Sequence, residues 1–189
     1  MNETELIQQC IEGHRQSQRL LYDRYSARLF GVCRRYIRND NDAEEVLADA
    51  FYKILTHLER FEQKGSFEGW MYRIAVNECL MFLRKANNNF QQAIEIETQY
   101  DLSDTVRADV ALHEGDIMRL LDYLPLGYRT VFNMYIIEGY SHKEIADMLR
   151  ISVNTSKSQL IKARRMLQQL LQKVGYNVAL PKMAEDEDN

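Results

Sequence analysis

The sequence predicts an all-α fold of two small helical domains, an N-terminal bundle and a C-terminal helix-turn-helix domain, joined by a flexible acidic linker. Three observations predict it. Two prolines and eight glycines in 189 residues leave few breakers for a turn-rich sheet protein, and Leu, Ile, Glu, Arg and Gln, all good helix formers, abound. Apolar residues recur at helical spacing over two long stretches. Between those stretches the periodicity fades, and Glu95, Glu97, Asp101, Asp104 and Asp109 stand against a single Arg107. The expected boundaries are 1–85 for the first domain, 86–111 for the linker, 112–174 for the second domain and 175–189 for a disordered acidic tail ending in AEDED, Ala184 to Asp188.

The elements follow in order. Leu6, Ile7, Cys10 and Ile11 form a first apolar stripe, and Leu21, Tyr25, Leu29, Val32, Cys33 and Tyr36 a second. Val46, Leu47, Ala50, Phe51, Ile54, Leu55 and Leu58 make the third. The run NDND, Asn39 to Asp42, separates the second helix from the third, with Asp42 the expected N-cap and Glu45 its capping-box partner. QKGS, Gln63 to Ser66, precedes a fourth helix, SFEGWMYRIAVNECLMFLRK. Helical pattern returns at Leu112 and runs to Val174, interrupted at Leu124–Gly127, Glu138–Gly139 and Arg150–Ser152.

Composition excludes several classes of function. Cys10, Cys33 and Cys79 are odd in number, far apart and without CxxC spacing, so neither a disulfide framework nor a zinc site is expected, and buried reduced thiols are. Asp42, Glu45 and Asp49 share a helix face, but no Glu-x-x-His pair accompanies them and His14, His57, His113 and His142 are scattered. No cofactor or metal is expected, and the chain reads as a non-enzyme. The N-terminus MNETELIQQC has no basic or apolar targeting segment and no apolar run is long enough to cross a bilayer, so the expectation is a soluble, cytoplasmic protein.

The strongest motif is YSHKEIADMLRISVNTSKSQLIKARRML, Tyr140 to Leu167. Ser141 and Glu144 form an S-x-x-E capping box, so a helix starts after Ser141 and turns Ile145, Ala146 and Leu149 inward. Ser152 caps the next helix after a short turn, the geometry that projects a second helix into a major groove. That second helix carries Lys157, Lys162, Arg164 and Arg165 together with Thr155, Ser158 and Gln159. Arg150 stands in the turn where glycine is favoured, and Ser156 where an apolar residue normally packs. The formal net charge is −4, yet from Tyr140 to Val174 basic residues outnumber acidic ones, so this surface is locally positive.

LPLGYRTVFNMYIIEGYSHKEIADMLRISVNTSKSQLIKARRML resembles the fourth conserved region of bacterial sigma factors, and DAEEVLADAFYKIL followed by GSFEGWMYRIAVNECLMFLRK resembles the second. Two such regions joined by a short linker are similar to the extracytoplasmic-function group of the sigma-70 family. The resemblance implies a promoter-specificity subunit that binds core RNA polymerase, reads the minus-thirty-five and minus-ten elements and promotes melting. It implies Thr155, Lys157, Ser158, Gln159, Ile161 and Lys162 at the minus-thirty-five element, with Arg129, Lys143 and Arg164 on phosphates. It implies Phe61, Lys64, Gly65, Ser66, Phe67, Arg73, Asn77, Arg84 and Lys85 at the minus-ten element, where Trp70 either stacks on DNA or anchors the bundle. Asp42, Glu45, Val46 and Asp49 would meet the polymerase clamp helices, the second domain the flap, and the acidic linker either the RNA path or only solvent. An anti-sigma factor, often membrane-anchored in the family, is the further partner implied. Two alternatives stay open: an autonomous dimeric helix-turn-helix regulator, and a helical carboxylate-metal enzyme.

Overall fold

The computed structural model describes residues 1–87, 89–95 and 117–173. Among these residues every regular element is helical, and no helix is long and apolar enough to cross a membrane. The acidic positions 97–109 and the tail 175–189 lie outside the described residues. The chain divides into two compact units, Met1–Phe90 and Gln91–Asn189.

The first unit is built from α1 (Glu3–Ile11), α2 (Arg15–Tyr36), α3 (Asp40–His57) and α4 (Phe67–Ala86). The three long helices pack on one another and α1 closes one side, against α2 and the 3-10 turn Leu58–Arg60. Leu6, Leu21, Leu29, Tyr36, Ile54, Leu58, Phe67, Met71 and Leu80 are fully buried between them. The expected stripes therefore make the core, apart from Ile11 and Leu55, which are half-buried. The cap of α3 is Asn39 rather than Asp42: its side-chain oxygen accepts from the N–H groups of Asn41 and Asp42 at 2.9 and 3.1 Å. The helix starts at Asp40, which leaves Asp42 in the first turn, where a carboxylate still complements the helix dipole.

Polar pins join these helices. Lys53 on α3 reaches Glu78 on α4 at 2.6 Å, and Glu78 is buried. Glu68 at the start of α4 accepts from Arg28 on α2 at 3.1 Å and from the Tyr72 hydroxyl at 2.6 Å. The Tyr72 bond, with Arg28 behind it, holds the Glu68 carboxyl below its usual range. Burial, then the neighbouring Glu68, pushes the Tyr72 phenol up to about 12.

In the second unit α6 (Ile117–Tyr123) and α7 (Leu126–Phe132) pack against the long α9 (Val153–Lys173), with α8 (His142–Leu149) beside it. Leu120, Leu121, Leu124, Tyr128, Ala163, Met166, Leu167 and Leu170 form one apolar cluster. After α7 the chain widens into a single π-turn, Asn133–Ile137, closed by the Glu138 N–H on the Asn133 carbonyl at 3.0 Å. A short helix, α5 (Phe90–Glu95), falls within the stretch expected to be linker.

Candidate nucleic-acid interface

The helix-turn-helix is assembled from local chemistry. Ser141 Oγ accepts the Glu144 N–H at 3.2 Å while Glu144 Oε2 accepts the Ser141 N–H at 2.8 Å, so the capping box at the head of α8 is complete. Ile145, Ala146 and Leu149 are buried as their spacing requires. Arg150 ends the helix in the left-handed region, φ +57° and ψ +45°, with its N–H on the Ala146 carbonyl. Ser152 then takes the Thr155 N–H at 2.9 Å and starts α9.

Ser156 is buried because it has a polar partner. Its hydroxyl lies 2.8 Å from His142 Nδ1, and that imidazole stacks on Tyr135 with centroids 4.3 Å apart. One buried hydrogen bond thus ties the first residue of α8 to the first turn of α9 and replaces the apolar contact expected there.

The outer face of α9 carries exposed Val153, Asn154, Ile161 and Arg165, flanked by half-buried Thr155, Lys157, Ser158, Lys162 and Arg164. Lys143 adds an exposed cation on α8. Two residues expected on this surface are elsewhere. Gln159 is 1% exposed, and its amide donates to the Ile94 carbonyl at 2.7 Å, because position 159 falls in step with buried Ser156, Ala163 and Met166. Arg129 is 4% exposed and its guanidinium faces Asp122 at 3.2 Å inside the unit, not a phosphate path. The Thr155 and Ser158 hydroxyls sit in local bonds, to Ser152 and to the Thr155 carbonyl.

On the first unit, Arg73, Asn77 and Arg84 lie exposed along one side of α4 with Lys85 beside them. The preceding loop holds Gln63 at φ +56° and Gly65 at φ +95°, and exposed Ser66 caps α4 through the Gly69 N–H. Lys64 is exposed and pairs with Glu62 at 2.6 Å. Phe67, expected to line a base pocket, is 1% exposed and lies in the core: its ring meets Tyr25 at 5.9 Å, Phe61 at 5.1 Å and Trp70 at 5.8 Å. Phe61 and Trp70 are half-buried in the same cluster, so Trp70 anchors the bundle. Burying a ring such as Phe67 contributes about 2 to 3 kcal/mol, which makes the loop's root rigid.

The acidic side of α3 presents exposed Glu45 and Asp49 with half-buried Asp42, whereas Val46 points into the core at 2% exposure. Tyr52, one turn beyond Asp49, is 70% exposed and was not among the expected surface residues. The register of α3 held the signal, since Leu47, Ala50, Phe51 and Ile54 make the buried stripe and position 52 falls off it. Among the described residues no group of His, Cys, Asp or Glu is placed to hold a metal ion.

The chain matches the family model for sigma-70 region 2 over residues 21–89 and that for sigma-70, region 4 over residues 114–167. It belongs to the sigma-70 family, in the extracytoplasmic-function group. This sigma factor is 28% identical to the ECF RNA polymerase sigma-E factor of Haemophilus influenzae, over 88% of its own length and 94% of the relative's. It is 27% identical to the ECF RNA polymerase sigma factor SigW of Bacillus subtilis, over 87% and 94%. Among solved structures it is similar to CnrH in complex with the cytosolic domain of CnrY, with a TM-score of 0.50, 24% identity and 88% and 95% coverage. It is also similar to RpoE of Bartonella quintana in complex with the anti-sigma factor NepR, with a TM-score of 0.53, 20% identity and 82% and 96% coverage. The sigma factor is thus a promoter-specificity subunit of RNA polymerase, and its helix-turn-helix and α4 faces are the surfaces to examine for DNA.

Proposed function

We propose that the chain joins core RNA polymerase and reads a promoter at two elements, one with each unit, and that the first unit helps to open the duplex. The observation that carries this reading is the pair of exposed basic helical faces, one per unit, each rooted on a rigid turn. On α9 the readers are Lys157, Ser158, Ile161 and Lys162, with Thr155 at the helix start and Lys143 and Arg164 on phosphates. Ile161, 66% exposed, suits a thymine methyl. On the first unit Phe61, Lys64, Gly65 and Ser66 receive an unstacked minus-ten base, and Arg73, Asn77, Arg84 and Lys85 follow the displaced strand. Phe67 and Gln159 support these surfaces from within.

Asp42, Glu45 and Asp49, extended by Tyr52, dock on the polymerase clamp helices, and the second unit meets the flap. An anti-sigma protein is the inhibitory partner, a reading supported by the Bartonella RpoE, solved with the anti-sigma factor NepR. Gel filtration with purified core polymerase tests the reading. A stoichiometric complex that protects both promoter elements and makes the minus-ten strand reactive to a single-strand probe is expected. Separate elution, or duplex binding as a free dimer, defeats it in favour of an autonomous regulator.

A further inference from the structure

Residues 91–94 of α5 lie outside both stretches that match sigma-70 regions, yet they are tied to three elements of the second unit. On α9, the Gln159 amide donates to the Ile94 carbonyl at 2.7 Å, and both side chains are buried. The Gln159 oxygen is itself buried without a hydrogen-bond partner among the described residues, so its NH2 group fixes the side chain. At the turn of the helix-turn-helix, left-handed Arg150 offers its carbonyl to Gln91 Nε2 at 2.6 Å. On α7, Gly127 comes so close that a Cβ there would lie 3.0 Å from both the Ile94 carbonyl oxygen and Gln159 Oε1. A side chain at 127 would press this junction apart.

The ties meet behind the reading helix. Gln159 shares the second turn of α9 with Lys157 and Ser158, and Arg150 is the residue whose backbone sets how α8 leads into α9. With residues 91–94 in place, Asn154, Ile161 and Arg165 stay exposed and Lys157, Ser158 and Lys162 half-buried. The segment is thus a support and not a cover. Reading base edges needs side chains held to within about 0.5 Å, whereas a phosphate attracts a cation over a longer range. We propose, on the reading of α9 as the DNA-facing helix, that Gln91 and Ile94 are positioning residues for base selectivity: through Arg150 and Gln159 they fix the roll and tilt of the first two turns of α9. They touch no DNA themselves.

The whole chain is tested in two arms. Without polymerase or DNA, the side-chain NH2 signals of Gln159 report the junction: they should exchange slowly with water in the parent and about tenfold or more faster in Gly127→Ala and Ile94→Ala. Gly127→Ala puts a better helix former in α7, so it loosens the junction without weakening that helix. Ile94→Val keeps the anchor and should match the parent. With core polymerase, promoter fragments randomised at one element at a time are selected at two salt concentrations. Gly127→Ala and Ile94→Ala should flatten the upstream base preference by about fivefold or more, with the salt slope and the downstream preference unchanged. Gln91→Ala, a change at an exposed side chain, should do the same more weakly and keeps the test open if the buried changes unfold the unit. Fast Gln159 exchange in the parent, or an upstream preference that survives all three changes, overturns the positioning role alone. A parent that forms the polymerase complex with Gln159 protected and yet shows no upstream preference defeats the promoter reading, and the positioning role with it.

Discussion

At the scale of single residues, the second unit depends on two positions that depart from the usual helix-turn-helix pattern. His142 and Ser156 form a buried hydrogen bond between α8 and α9. Removing either partner leaves the other buried and unpaired, at a cost of about 1 to 3 kcal/mol, while removing both costs less than the sum. A chemical-denaturation cycle of His142→Ala, Ser156→Ala and the double variant should therefore return a coupling of about 1 kcal/mol; additive losses would show that the bond is not a unit. Arg150 sits left-handed at φ +57°, where a side chain costs about 1 to 2 kcal/mol relative to glycine. Glycine loses more freedom on folding, so Arg150→Gly should raise stability by about 1 kcal/mol, seen as a higher urea midpoint for the second unit. The sequence made Arg150 conspicuous and left Ser156 looking like a defect, because its partner is 14 residues away and an imidazole at 142 reads as surface.

At the scale of elements, the long amphipathic helices were legible because each buries a stripe long enough to average over exceptions. The cap of α3 was misplaced by three residues, since NDND offers four consecutive capping side chains and only geometry chooses Asn39. Helix α5 was illegible: FQQAIE has only Phe90 and Ile94 as apolar anchors, and Ile94 is held by distant groups, Gly127 on α7 and Gln159 on α9. Gln159 was assigned outward because amides usually are, although its register with Ala163 and Met166 points inward. The start of α4 carries a pH-dependent prediction. Glu68, held low by Tyr72 and Arg28, contributes stability fully present above the unfolded carboxylate value of about 4.3 and lost as pH falls through its lower folded value. Tyr72, raised from 10.0 to about 12, contributes stability present below pH 10.0 and lost as pH climbs toward 12. Glu68→Gln should flatten the acid limb of a melting-temperature profile, and a profile identical to the parent's would remove Glu68 from the pin. On α8, Lys143→Ala should weaken holoenzyme binding evenly across promoter sequences and lower the slope of log K against log salt by about 1; a loss confined to some promoters would contradict a phosphate contact.

At the scale of the whole molecule, an acidic chain with net charge −4 keeps its positive faces on α4 and α9 and a negative face on α3. Charge reversal at that negative face, Glu45→Lys with Asp49→Lys, should weaken association with core polymerase by about tenfold or more without changing helicity, because both side chains are exposed. Retained affinity in a competition assay would move the clamp contact elsewhere. The two units also have separate cores, and the first is closed by residue 90. Domains fold as they leave the ribosome, N-terminal ones first, at about 5 to 20 residues per second. Once the first unit has left the ribosome, and for the seconds that the rest of the chain still takes, the nascent chain displays a finished acidic α3 face and no completed helix-turn-helix. A partner that binds the first unit alone thus has a head start of seconds over any that needs both.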